Sequence, residues 1–123
     1  MDDQTLPLVA GTTFDFDLTW ETENEQRELE PVDITGCSIE LQIRTASTKS
    51  LLLRCSLTDG SISVVDPTTG KMNIHIAPDK TVNQDIDDWQ SARWEVRVTF
   101  PSGDAYSLVR GWAKLAAGTV FYE

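Results

Sequence analysis

Histidine is almost missing from this chain, cysteine occurs twice, and basic residues are outnumbered two to one by acidic ones. Each shortage removes a class of function. With His75 as the sole imidazole, any Ser-His or Cys-His pair must use it, yet it falls on the outward parity between Ile74 and Ile76. Cys37, Cys55 and one histidine fall short of the four ligands of a structural zinc site. No G-x-S-x-G, H-E-x-x-H or glycine-rich phosphate loop occurs. Carboxylates are plentiful, but Asp15 and Asp17 alternate outward, with no apolar pocket in sight to raise a pKa. Asp85, Asp87 and Asp88 lack the glycine and distal glutamate of an EF-hand loop. The expectation is no enzymatic activity, no cofactor and no metal.

Long apolar runs are also lacking. None approaches the ~20 residues of a membrane span, and Met1-Asp2-Asp3-Gln4 is acidic with no apolar h-region, so no secretory leader is expected. Synthesis in the cytoplasm follows as the expectation, and there two cysteines on inward strand positions read as small hydrophobes rather than a disulfide. The 20 acidic and 10 basic residues give a net charge of -10. Such a chain is repelled by phosphate backbones and anionic lipid, which argues against nucleic acid and membrane as partners. The acidity serves solubility, or complements a basic surface elsewhere.

What the chain does have is strand-type alternation. Phe14, Phe16, Leu18 and Trp20 share one parity, Asp15, Asp17, Thr19 and Glu21 the other. Period two with this contrast predicts a half-buried strand. Cys37, Ile39, Leu41 and Ile43 repeat the logic against Ser38, Glu40, Gln42 and Arg44. Leu51, Leu53, Cys55 and Leu57 form a third inward set. Residues 62–65 and 72–76 read as a hairpin around Asp66-Pro67-Thr68-Thr69-Gly70. Trp94, Val96, Val98 and Phe100 alternate with Glu95, Arg97 and Thr99 before a turn and a return strand over 106–115. The inward parity of that return strand is ambiguous, because Leu108 and Val109 are both apolar, and Gly111 within it signals a bulge or a close backbone approach.

Two stretches break the rhythm. Residues 21–31 carry Glu21, Glu23, Glu25, Glu28 and Glu30 against a single Arg27 and read as an exposed loop. Residues 79–88 read as one short helix, capped by Asp79, with Val82 and Ile86 sharing a face. The 123 residues and 13.7 kDa suit a single domain over 1–123, with a core over 11–115 and flanking arms at 1–10 and 116–123. The predicted fold is all-β: an antiparallel β-sandwich of immunoglobulin-like character with about seven strands. The Cys…Trp…Cys framework of an antibody domain is missing, since no Trp lies between Cys37 and Cys55.

Glu30-Pro31-Val32-Asp33-Ile34-Thr35-Gly36, followed by Ile39-Glu40-Leu41-Gln42-Ile43-Arg44, resembles the P-V-D-L-T-G…Q-I-R signature of small bacteriophage and prophage tail-associated domains. These are similar to the N-terminal domain of baseplate upper proteins, adaptors that carry receptor-binding proteins. Asp59-Gly60-Ser61-Ile62 and Thr69-Gly70-Lys71-Met72 resemble that family's D-G-x-I and T-G-x-I turns, and Gly111-Trp112-Ala113-Lys114-Leu115 its closing strand. The likeness spans about residues 11–115. It implies a structural or adaptor protein of the virion, located in the tail, neck, baseplate or capsid and acting through contacts with other virion proteins and with copies of itself. The acidic stretch departs from the family in lacking a glycine.

The residues expected to meet a partner are Glu23, Glu25 and Glu28 in that stretch, Trp89 and Trp112 off the clear inward parities, and Val120, Phe121 and Tyr122 near the C-terminus. The alternative reading is a carbohydrate-binding module, in which Trp89 and Trp112 would stack a host-surface glycan.

Overall fold

The computed structural model describes residues 4–120. Ten strands run in the order β1 (Leu6–Val9), β2 (Phe14–Thr19), β3 (Glu21–Glu23), β4 (Leu29–Pro31), β5 (Ser38–Thr45), β6 (Leu51–Ser56), β7 (Ile62–Asp66), β8 (Lys71–Ile76), β9 (Ala92–Thr99) and β10 (Ala105–Ala116). Five build one sheet in the order β1-β10-β9-β5-β6, and three build a second in the order β2-β8-β7. Among the described residues, strands β3 and β4 pair only with each other.

The two sheets form a sandwich because each carries one apolar parity. Ile39, Leu41 and Ile43 of β5 and Trp94, Val96 and Val98 of β9 line one inner wall. Met72, Ile74 and Ile76 of β8 line the other, with Phe14, Phe16 and Leu18 of β2 half-buried beside them. Each fully buried side chain among these contributes about 1.5–3 kcal/mol by leaving water. Phe16 and Trp94 meet across the sandwich edge to face, with ring centroids 6.1 Å apart.

Several elements differ from the sequence reading. Within the arm expected over 1–10, residues 6–9 form a strand: Leu6 and Leu8 are core residues, and β1 pairs with β10 in parallel, within a sandwich otherwise antiparallel. Pro7 fits there because an edge strand needs no second set of ladder bonds. The acidic stretch is a β-hairpin, which with β1 raises the strand count above seven. The single helix over 79–88 is two 3-10 turns, Pro78–Lys80 and Ile86–Trp89. Between them Gln84 Nε2 donates to the Leu52 carbonyl at 2.7 Å, and Val82 is exposed while Ile86 is half-buried, so the two share no apolar face. Asp85, not Asp79, is the residue whose side chain caps, accepting from the Asp87 N–H at 3.0 Å. Leu51 is exposed because the β5–β6 register shifts beside it.

A bulge between Ser107 and Val109 settles the parity of β10, turning Val109, Gly111, Ala113 and Leu115 inward and Arg110, Trp112 and Lys114 outward. Gly111 is a close approach: a Cβ there would lie 1.8 Å from the Gln4 carbonyl oxygen. Cys37 and Cys55 are both free and buried.

Candidate functional site

The outer face of the five-stranded sheet gathers six of the chain's ten Lys and Arg residues. Alternation turns Arg44 of β5, Arg54 of β6, Arg93 and Arg97 of β9, and Arg110 and Lys114 of β10 to this side. Its strands carry two carboxylates, Glu40 and Glu95. Six cations against two carboxylates make a local charge of +4 on a chain of net -10, leaving -14 for the rest. Both carboxylates are engaged: Glu40 with Arg54, and Glu95 with the Arg97 Nη2 at 2.8 Å. Among the described residues Arg44 finds only neutral acceptors, the Gln42 Oε1 and the Lys49 carbonyl oxygen, each at 2.7 Å. It stands directly opposite Arg93 in the β5–β9 register. Two open depressions of about 470 and 290 Å³ run between these side chains.

Trp112 lies at one border of this surface, 46 % exposed, with the Arg93 guanidinium 4.6 Å above its ring centroid. The stack fixes the indole and satisfies the cation by the ring quadrupole. Trp89, placed with Trp112 by the sequence reading, is instead a core residue at 3 % exposure. Its indole N–H donates to Gln84 Oε1 at 3.2 Å, because the 3-10 turn that carries it folds the ring inward. The two tryptophans border one further depression of about 470 Å³, but only Trp112 has a ring open to solvent.

The acids lie elsewhere. Glu21 and Glu23 sit on β3, Glu25 and Glu28 in the connecting turn and Glu30 on β4. All the residues of both strands are exposed. The turn closes without glycine because the Asn24 Oδ1 accepts the N–H groups of Gln26 and Glu28, both at 2.9 Å, while Arg27 takes φ 62°. At its base the hairpin is anchored by the Trp20 N–H on the Gly70 carbonyl at 2.9 Å and the Val32 N–H on the Trp20 carbonyl at 3.0 Å. Asp15 and Asp17 on the outer face of β2 both accept from Asn73, at 2.7 and 2.9 Å. The His75 Nδ1 is 2.7 Å from the Asp15 Oδ2, and this contact, then the Asn73 bond, holds the Asp15 carboxyl below the usual carboxylate range. This pair is solvent-exposed.

Val120 is exposed and borders a depression of about 680 Å³ shared with Val9 and Val82. Phe121 and Tyr122 lie outside the described residues. Among the described residues, no three of His, Cys, Asp and Glu converge as metal ligands, and no helix is long and apolar enough to cross a membrane. The sequence reading missed the cationic face, since the whole-chain charge conceals it. The outward parity of Arg44 and Arg97 was the available sign.

No protein-family model matches the chain, and no curated protein matches it. Solved structures do. The chain is similar to the NK cell receptor NKp44, described as a triggering partner in natural cytotoxicity, at 14 % identity and TM-score 0.50 over 94 % of this chain and 100 % of that one. Murine CRIg follows at 12 % identity and TM-score 0.41 over 94 % and 92 %, and the Ig1 domain of mouse SynCAM 2 at 11 % and 0.38 over 94 % and 93 %. The last two scores are too low to add weight. The strand order, with β10-β9-β5-β6 facing β2-β8-β7, corresponds to that of a variable-type domain. The fold is an immunoglobulin-like β-sandwich.

Proposed function

We propose that this protein is a non-enzymatic structural or adaptor module of a bacteriophage particle, made in the host cytoplasm and acting through protein–protein contacts. One observation carries the binding half of this reading: the outer face of the five-stranded sheet, where the Arg93–Trp112 stack is set among surplus cations. Arg and Trp are the residue types that most often dominate protein interfaces, and wide, open depressions suit a protein surface better than a small substrate. The tail-domain resemblance around Asp33-Ile34-Thr35-Gly36 supports the setting. There the Asp33 Oδ1 accepts from the Thr35 N–H at 2.9 Å, which makes the stretch a structural turn into β5.

The glycan reading has less to stand on, because Trp89 is buried and Arg93 covers one face of Trp112. Mass spectrometry of gradient-purified particles from the encoding host tests the proposal. The polypeptide is expected at a fixed ratio to the major tail or capsid proteins, and Trp112→Ala should lower that ratio while the folded protein accumulates normally in the cell. Absence of the wild-type polypeptide from particles overturns the reading.

A further inference from the structure

We infer, building on the reading of the cationic sheet face as the contact surface, that its occupant is the β3–β4 hairpin of a second copy, so that the protein associates head to tail. Among the described residues the hairpin pairs with no other strand, and all its strand residues are exposed. An isolated two-stranded hairpin is marginal in water, so a surface that covers it has something to stabilise. In the ladder Glu23 opposes Leu29 and Glu21 opposes Pro31. Directly opposed residues project to the same side. One side of the hairpin therefore presents Leu29, 67 % exposed, and Pro31 beside two carboxylates, with more carboxylates at the tip.

The cationic face is built with the opposite sign. Trp112 projects between Arg110 and Lys114, two residues away on either side along β10 and pointing the same way. An apolar centre edged by carboxylates thus faces an apolar centre edged by cations. Because donor and acceptor surfaces differ, the contact is heterologous and builds a ring or a filament rather than a closed two-fold dimer.

The net charge of -10 sets a condition on this contact. At low salt whole molecules repel, and at high salt the local attraction is screened. At about 0.15 M the Debye length of about 8 Å suppresses the first while sparing much of the second. Association should accordingly be strongest at intermediate salt.

Sedimentation velocity of the intact protein over a salt series tests this, with two surface variants, Glu23→Lys/Glu28→Lys and Arg110→Glu/Lys114→Glu. Wild type should associate with concentration, and each variant alone should associate about tenfold or more weakly. Mixing the two variants should restore assembly, since each then meets a surface of opposite sign. A wild type that stays monomeric at every salt concentration overturns the inference, as does association that survives both reversals or a mixture no better than its parts. Should Arg110→Glu/Lys114→Glu abolish binding to a DNA oligonucleotide while wild type remains monomeric, the face takes nucleic acid and the inference falls. If wild type is monomeric but the same variant is lost from purified particles, the face still binds a virion protein, and only the identity of its occupant was wrong.

Discussion

The indole N–H of Trp94 donates to the backbone carbonyl of Gln4 at 2.8 Å, across 90 positions of sequence. The Gln4 N–H in turn bonds the Arg110 carbonyl at 2.9 Å, so the first described residue is held at both its polar backbone groups. Gly111 makes this possible by having no side chain where the Gln4 backbone passes. Gly111→Ala should therefore displace the segment before β1 and cost about 2–3 kcal/mol in urea unfolding. Trp94→Phe keeps a ring against Phe16 but loses the bond, and should cost about 1–2 kcal/mol. In hydrogen exchange, both changes should lower protection first at Leu6–Val9.

Asp59 shapes the turn between β6 and β7. Burial pushes its pKa up, but hydrogen bonds from the Ser61 hydroxyl and the N–H groups of Ser61 and Ser56, with the Lys80 charge, outweigh burial and bring it from 3.8 to about 2. A depressed carboxylate stabilises the fold above its unfolded pKa, and that stability is lost as pH falls from about 3.8 through about 2. With the side chain 39 % exposed, solvent screening leaves about 1 kcal/mol of the effect. Asp59→Asn should lower stability at neutral pH by about this amount and flatten the acid limb of a pH–stability curve.

Cys55 is fully buried and Cys37 nearly so, and burial pushes both thiols up from their ordinary value. The thiolate is the reactive form. Native protein should resist a disulfide-exchange reagent, with Cys37 modified before Cys55 and Cys55 reacting only as fast as the sandwich opens. Rapid labelling of Cys55 under native conditions would contradict the packing described.

Arg27 occupies the left-handed region at φ 62°, where a Cβ is disfavoured and glycine is not. Arg27→Gly should stabilise the hairpin by about 1 kcal/mol, read as slower amide exchange in β3 and β4 with no change in the core strands.

The core was legible wherever alternation was clean. Ile39, Leu41 and Ile43, and Trp94, Val96 and Val98, are all buried as their parity requires. Where a strand is bulged, parity loses its meaning: Leu51 turned out exposed and Val109 buried on either side of register shifts that no residue type announces. Strand β1 is too short for a convincing period, and its partner lies at the far end of the chain. Trp89 belongs to a 3-10 turn, to which strand parity does not apply. The cationic face escaped notice for a related reason. It is assembled from four strands scattered between residues 44 and 114, and only their side-by-side order makes Arg44, Arg93 and Arg110 neighbours.

The parallel pairing of β1 with β10 has a mechanical consequence. Leu6 to Val9 run alongside Ala113 to Ala116 in the same direction. Tension entering the start of β1 and leaving the end of β10 pulls the two strands past one another along their length. The evenly spaced, slanted bonds of a parallel ladder then share the load and must fail together. An antiparallel hairpin such as β3–β4, pulled from its open end, would instead peel one rung at a time. Traction along the chain thus meets a ladder loaded in shear before it reaches the sandwich core.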